Sequence, residues 1–290
     1  MTAIPVVGRP AAQSRLDLSV PPPASGVKGV AWALRDTWVV TRRNLWHIRR
    51  VPEKLLDVTL QPVIFVVLFA YIFGSAVNVP QYRSFLMAGI FTQQVVFLSV
   101  TTAVGFTSDL SNGLMDRFRS LPMARVGVVA GRAVADLVHG WIGMTVMALC
   151  GLLVGWRAND GALRAVAGFG LLALFAFAMI WVGTVLGLTV RTTEAAQSLG
   201  FTVLFPLTFV ANTFVPTSGF PQWLQVIADW NPISATVEAC RQLWGNAPPV
   251  PPDAAWPLRH SVSASVMYSV AIIAVVAPIA VRRYRSAISH

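Results

Sequence analysis

The sequence contains few charged residues and few cysteines, and each shortage excludes a class of protein. Only 12% of the 290 residues are Asp, Glu, Lys or Arg, whereas 55% are hydrophobic. A soluble protein of this size needs more polar side chains to cover its surface. With only two cysteines, Cys150 and Cys240, the sequence does not predict a disulfide framework. The composition therefore favours a protein whose solvent is lipid.

Motifs for nucleotide, metal or hydrolase chemistry are also absent from the sequence. The two lysines, Lys28 and Lys54, are followed by Gly and Leu, so no phosphate-binding loop ends in Lys and Ser or Thr. No His-Glu-x-x-His and no Gly-x-Ser-x-Gly occurs. We expect this chain to be no enzyme, with no metal and no cofactor of its own. If ATP drives the protein, another polypeptide binds it.

Long charge-free segments are the main positive feature of the sequence. Crossing the roughly 30 Å apolar layer of a bilayer takes about 20 apolar residues in a helix. The sequence predicts an all-α membrane protein whose transmembrane domain, 55–281, contains six spans at about 55–78, 84–108, 131–155, 164–189, 195–215 and 260–281. Residues 216–259 are rich in Pro, Ser, Gly and Trp, and we predict short external helices there, starting near Pro221 and Pro232.

The distribution of basic residues predicts the orientation. The net charge is +10, and six spans place both termini on one side of the membrane. Because cytoplasmic segments are enriched in Lys and Arg, we predict that both termini are cytoplasmic. The basic residues lie in short loops beside apolar segments, where they face anionic lipids, so we expect lipids and not nucleic acid as their partners. On the opposite side lie only Arg83, Arg157, Arg164, Arg241 and Arg259.

The two ends of the chain are predicted to lie in the cytoplasm. Residues 282–290 are predicted to form a cytoplasmic tail, and the N-terminal region has two predicted parts. Residues 1–27 contain several prolines and little to bury, which predicts a disordered cytoplasmic arm without a cleaved signal peptide. Residues 28–50 have an amphipathic pattern that predicts a helix at the membrane interface. That helix is either an anchor alone or also a contact for a cytoplasmic partner. Its candidate residues are Trp32, Trp38, Arg43, Trp46 and Arg50.

The predicted cytoplasmic loop at 109–130 mixes charges of both signs with large apolar side chains. Apolar residues interleaved with charges are suited to docking into a groove of another protein. A helix lying flat on the membrane is the alternative. The candidate docking residues are Leu114, Met115, Asp116, Arg117, Phe118, Arg119 and Leu121.

Polar residues inside the predicted spans are few and are therefore candidates for function. Gln93, Gln94 and Thr101 in the second span predict a substrate path for an amphipathic molecule. Asp136 and His139 lie on one face of the third span near the membrane edge, where they form either a local polar contact or a proton relay. In the fourth span, two small residues one turn apart permit close approach of another helix. They are Gly183 and Gly187.

Two motifs resemble those of the ABC-2 type permeases, and within that group those of the daunorubicin-resistance-like drug exporter permeases. The resemblance runs from about Lys28 to the C-terminus. The first motif is Asp116-Arg117-Phe-Arg119-Ser-Leu-Pro122, followed by Gly131-Arg132 and Ala135-Asp136. The second is Asn231-Pro232-Ile-Ser with Glu238-Ala-Cys-Arg241.

This resemblance implies the ABC-2 permease fold, with an N-terminal interfacial helix, a cytoplasmic coupling helix in the loop 109–130 and short external helices before the last span. It implies two ATP-binding subunits that carry ATP and Mg, a second permease that is identical or related, and a location in the bacterial plasma membrane. The function implied is export of a hydrophobic or amphipathic drug, lipid or glycolipid. A proton-coupled secondary transporter and a membrane enzyme remain the alternatives.

Overall fold

The computed structural model of the chain describes residues 60, 63–73, 82–111, 125–251 and 254–289. We number the helices in chain order. They are α1 (Val63–Ile72), α2 (Tyr82–Ser111), α3 (Arg125–Leu153), α4 (Ala162–Gly187), α5 (Thr193–Val210), α6 (Gln222–Asp229), α7 (Pro232–Leu243), α8 (Trp256–Arg259) and α9 (Ser261–Ser289). The predicted arm at 1–27, the interfacial helix at 28–50 and half of the first span lie outside the described residues, as does the central part of the coupling loop, 112–124.

Four of the described helices are long and apolar enough to cross a membrane. Their membrane-capable segments are Tyr82–Ser111, Ala130–Leu153, Ala162–Gly187 and Ser261–Tyr284. These segments coincide with the second, third, fourth and sixth predicted spans. The described part of the protein is helical in all its long elements, as the composition predicts.

Helix α5 occupies the fifth predicted span, but it ends at Val210 and not near 215. Ala211 has an extended backbone, and the N–H of Asn212 donates a hydrogen bond to Oγ of Ser234 at 3.0 Å. The chain therefore leaves the helix to bond with α7. At the other end, the Thr192 hydroxyl caps α5 by accepting from the N–H of Ala195.

Helix α2 lies at the centre of the bundle. Its membrane-capable segment is 83% buried, against 28% for that of α3 and 22% for that of α9. It packs against α3, α4, α5 and α7, and α4 in turn packs against α9. The core is therefore built around α2 and α4, while α3, α5 and α9 form the rim.

Two glycines of α4, which the sequence marks as permitting close approach of another helix, lie against α2. A Cβ atom on Gly183 would overlap the backbone carbonyl of Ser99, and one on Gly187 would meet the carbonyl oxygen of Ala103 at 2.5 Å. Thr107 reinforces this contact, since its hydroxyl donates to the carbonyl oxygen of Gly187 at 3.0 Å. The small-residue pair is thus a packing site for the helix backbone.

The short helices α6 and α7 lie at one end of the bundle, which we call the cap end. The opposite end, where α2 stops at Ser111 and α3 starts at Arg125, is the loop end. As predicted, α6 follows Pro221 and α7 begins at Pro232. Every residue of α7 from Ile233 to Arg241 is buried, because the helix is inserted among α2, α4 and α9.

Candidate functional site

A fully buried arginine occupies the centre of the cap end. The side chain of Arg241, on α7, has no exposed surface. Its Nε donates to the carbonyl oxygen of Phe85 at 3.0 Å, and Nη1 donates to Oδ1 of Asn212 at 2.7 Å. Its Nη2 donates to the carbonyl oxygens of Asn212 at 2.9 Å and Thr213 at 3.3 Å. Arg241 therefore joins α7 to the start of α2 and to the segment that follows α5.

Glu238 lies one turn before Arg241 and supplies the opposite charge. Its Oε2 is 3.6 Å from Nη1 of Arg241 and accepts a hydrogen bond from Nδ2 of Asn212 at 3.4 Å. Burial raises the pKa of the Glu238 carboxyl, and the Arg241 guanidinium opposes that shift. The guanidinium also stacks on Phe85, with its central carbon 3.4 Å from the ring centroid. We call Asn212, Glu238 and Arg241 the cap cluster.

A second group of charges lies at the loop end, between α2 and α3. Nη1 of Arg132 donates to Oδ2 of Asp109, and Nε of Arg132 is 3.6 Å from Oδ2 of Asp136. All three side chains are largely buried, with exposed fractions of 18% to 23%. We call these three residues the loop-end cluster. Of the pair named from the sequence, Asp136 lies beside Arg132 and His139 is buried. The choice between a local polar contact and a proton relay stays a prediction.

The three predicted substrate-path residues on α2 do not form one site. Gln93 points into the core and is 3% exposed, and its amide nitrogen has no hydrogen-bond partner within the described residues. Gln94 is half-buried, and Thr101 is exposed. Because a helix repeats every 3.6 residues, positions seven apart such as Gln94 and Thr101 lie on the same face. Gln93 lies on a different face of the helix.

Gln94 lines a cleft between α2, α3 and α4. Most of its lining residues are apolar, and Gln94 and Trp141 are the two whose side chains carry polar atoms. Its lining residues are Gln94, Val95, Leu98, Leu137, Gly140, Trp141, Met144 and Ala176.

The remaining predicted site residues lie outside the described part of the chain. These are the docking residues Leu114, Met115, Asp116, Arg117, Phe118, Arg119 and Leu121, and the interfacial residues Trp32, Trp38, Arg43, Trp46 and Arg50. Within the described residues, no group of three or more His, Cys, Asp or Glu side chains is arranged to hold a metal ion, and Cys150 and Cys240 are free thiols.

Sequence reasoning missed the roles of Arg132, Asp109 and the cap cluster. Glu238 and Arg241 were part of a family motif but were not candidate site residues. The available signal was an ionisable residue within a largely apolar stretch, where its charge is costly to bury without a partner. That signal marks the residue but does not identify the helix that supplies the partner.

The family model described as "ABC-2 type transporter" matches residues 35–244, from before the first span through α7. The chain belongs to the ABC-2 type transporter family. It is 32% identical over 257 residues to the daunorubicin resistance ABC transporter permease protein DrrB1 of Streptomyces coeruleorubidus, covering 86% of this chain and 87% of the relative. It is 28% identical over 267 residues to the doxorubicin resistance ABC transporter permease protein DrrB of Mycobacterium tuberculosis, covering 86% and 89%.

A more distant similarity extends outside the drug-resistance group. The chain is 23% identical over 220 residues to the putative transport permease ycf38 of Cyanophora paradoxa, covering 74% of this chain and 76% of the relative. These relatives, together with the apolar helices, identify this chain as a multi-pass membrane protein. It is the permease subunit of a drug-resistance-like ABC-2 transporter.

Proposed function

We propose that this chain is the transmembrane subunit of an exporter that moves hydrophobic or amphipathic molecules outward and is driven by a separate ATP-binding subunit. The observation that carries the proposal is the family match over residues 35–244 combined with 32% identity to a daunorubicin resistance permease. In this proposal ATP and Mg bind to the partner, and this chain performs no catalysis. The substrate class is a drug, lipid or glycolipid.

The proposed topology has six spans with both termini in the cytoplasm. Helices α2, α3, α4, α5 and α9 run alternately between the cap end and the loop end, which agrees with successive crossings. Helix α1 would belong to the first span and α5 to the fifth. The charge distribution then assigns the cap end to the outside and the loop end to the cytoplasm.

The proposed coupling site is the loop 109–130, which contains the connection from α2 to α3 at the loop end. Its docking residues, from Leu114 to Leu121, would contact the ATP-binding subunit, and the interfacial helix at 28–50 would contact the same subunit. Two ATP-binding subunits and a second permease, identical or related, complete the assembly, with lipids around it. ATP binding would shift the permease halves as rigid bodies.

The proposed substrate path uses the polar face of α2. Gln94 and Thr101 share that face, and Gln94 opens onto the apolar cleft against α3 and α4. Few charges and a small number of hydrogen-bonding groups suit an amphipathic ligand better than a highly charged one. Gln93, which is turned into the core, would line the path only after the helices rearrange.

Transport in inverted membrane vesicles tests this function. We expect ATP-dependent uptake of daunorubicin, followed by its fluorescence, when the permease and its ATP-binding subunit are both present. The permease alone is expected to give no uptake, and so is a complex whose ATP-binding subunit carries a substituted phosphate-loop lysine. Dissipating the proton gradient should leave uptake unchanged. Uptake by the permease alone that disappears with the proton gradient would instead show a secondary transporter.

A further inference from the structure

The loop-end cluster is a contact between α2 and α3 in which neighbouring residues are shaped to fit the Arg132 side chain. The Arg132 guanidinium lies along one turn of α2, where its central carbon is 5.1 Å from the Phe106 ring centroid. A Cβ atom on Gly105 would overlap Nη2 of Arg132, so the glycine leaves the space that the guanidinium fills. Asp109 accepts its hydrogen bond from the next turn, and Asp136 lies behind it on α3.

The position of the cluster gives it a mechanical role. Asp109 is in the last turn of α2, and Arg132 is in the second turn of α3, so the ion pair bridges the two helices on either side of residues 112–124. Packing within this chain covers only 28% of the membrane-capable segment of α3, against 83% for that of α2. A partly buried, charge-assisted hydrogen bond at this point therefore contributes strongly to holding the start of α3 against α2.

The contact also connects to the rest of the bundle. Phe106, beneath the guanidinium, is 1% exposed and belongs to a core cluster with Trp181 of α4 and with Ala280 and Tyr284 of α9. A displacement of Arg132 and Phe106 would therefore be passed to α4 and α9.

We propose that Arg132 is a positioning residue that fastens the start of α3 to the end of α2, so that both helices flanking residues 112–124 move as one unit when the ATP-binding subunit acts on the chain. This inference rests on the proposed function. Arg132 suits the task because its planar guanidinium contacts a carboxylate on each helix and an aromatic ring at once, which a lysine ammonium does not.

Spin-label distances in the full complex test the proposal. One label is placed on Ser111→Cys and one on Ala130→Cys, with Cys150 and Cys240 replaced by Ala, and the distance is measured with and without ATP. We expect the distance between the two labels of one permease, which is the shortest in the complex, to be independent of ATP when Arg132 is intact. In Asp109→Arg and in Arg132→Asp, we expect ATP to shift or broaden the distance by at least about 2 Å. The exchanged variant Asp109→Arg/Arg132→Asp keeps opposite charges on the two helices and should give a narrower distance distribution than either single variant.

A matched control is the exposed pair Asp160 and Arg164 at the cap end, which should give the wild-type distance when each residue is reversed. Single variants with the wild-type distance, or an exchanged variant as broad as the single ones, would overturn the proposal. So would single variants that are monodisperse but no longer bind the ATP-binding subunit, since that would make Arg132 a docking residue. Failure of the proposed function would appear differently, as a labelled parent protein that recovers no ATP-binding subunit.

Discussion

Replacing Arg241 by alanine is expected to destabilise the protein by about 3–5 kcal/mol, because it leaves the buried Glu238 charge without its partner. The same change removes the donor from the carbonyl oxygens of Phe85, Asn212 and Thr213. Those acceptors lie where α2 begins and where the chain leaves α5, so the cap end should separate from the bundle. The measurement is the thermal midpoint and the monodisperse fraction of detergent-solubilised protein.

Two further variants make this prediction specific. Arg164→Ala removes an arginine whose side chain is 64% exposed and pairs with Asp160, so it should change stability by at most about 1 kcal/mol. Arg241→Lys keeps the charge but loses the planar set of N–H donors. Its thermal midpoint should lie between those of the wild type and Arg241→Ala. If Arg241→Ala melted at the same temperature as Arg164→Ala, the cap cluster would have no role in holding the bundle together.

Adding a single methyl group to Gly183 is expected to separate α4 from α2. The new Cβ would overlap the backbone carbonyl of Ser99, and a backbone atom has no rotamer by which to move away. Overpacking of this kind costs about 1–3 kcal/mol, which exceeds the gain of roughly 0.5–1 kcal/mol that alanine brings over glycine within a helix. Gly183→Ala should therefore lower the thermal midpoint.

Gly170 provides the control on the same helix. Apart from the neighbouring backbone of α4, no atom of the described residues lies within 4 Å of a Cβ built on this glycine. Gly170→Ala should therefore show only the helix-propensity gain and raise the midpoint or leave it unchanged. A lower thermal midpoint for Gly170→Ala, or an unchanged one for Gly183→Ala, would contradict this prediction. The close contact between α2 and α4 would then not determine how a methyl group on α4 changes the thermal midpoint.

The sequence predicts much of the fold because a membrane restricts the possible structures. Long segments without charges become helices in lipid, since every backbone polar group must find its partner within the protein. The four helices at 84–108, 131–155, 164–189 and 260–281 could therefore be predicted without knowing which helices contact each other. The starts of α6 and α7 were also predictable, because Pro221 and Pro232 are compatible with the first turn of a helix and not with its interior.

The charged sites were less predictable because their partners come from distant parts of the chain. Arg132 and Asp136 are one turn apart and could be paired from spacing, but Asp109 comes from another helix. Likewise, Arg241 and Glu238 are neighbours on α7, whereas Asn212 and the Phe85 carbonyl become neighbours only after α5 ends early and α2 packs beside it. The sequence pattern shows which charged residues are costly to bury. Only the packing of the helices shows which groups pair with those charges.

If a separate ATP-binding subunit bound at the loop end drives this permease, the two proteins should co-purify. The ATP-binding subunit is co-expressed with the tagged wild-type permease, with Asp116→Ala/Arg117→Ala, and with Asp160→Ala/Arg164→Ala as a charge-matched control. We expect the wild type and the control to retain the subunit, and the variant at 116 and 117 to lose it while remaining monodisperse. A wild-type permease that binds no ATP-binding subunit would show that the chain is not driven in this way.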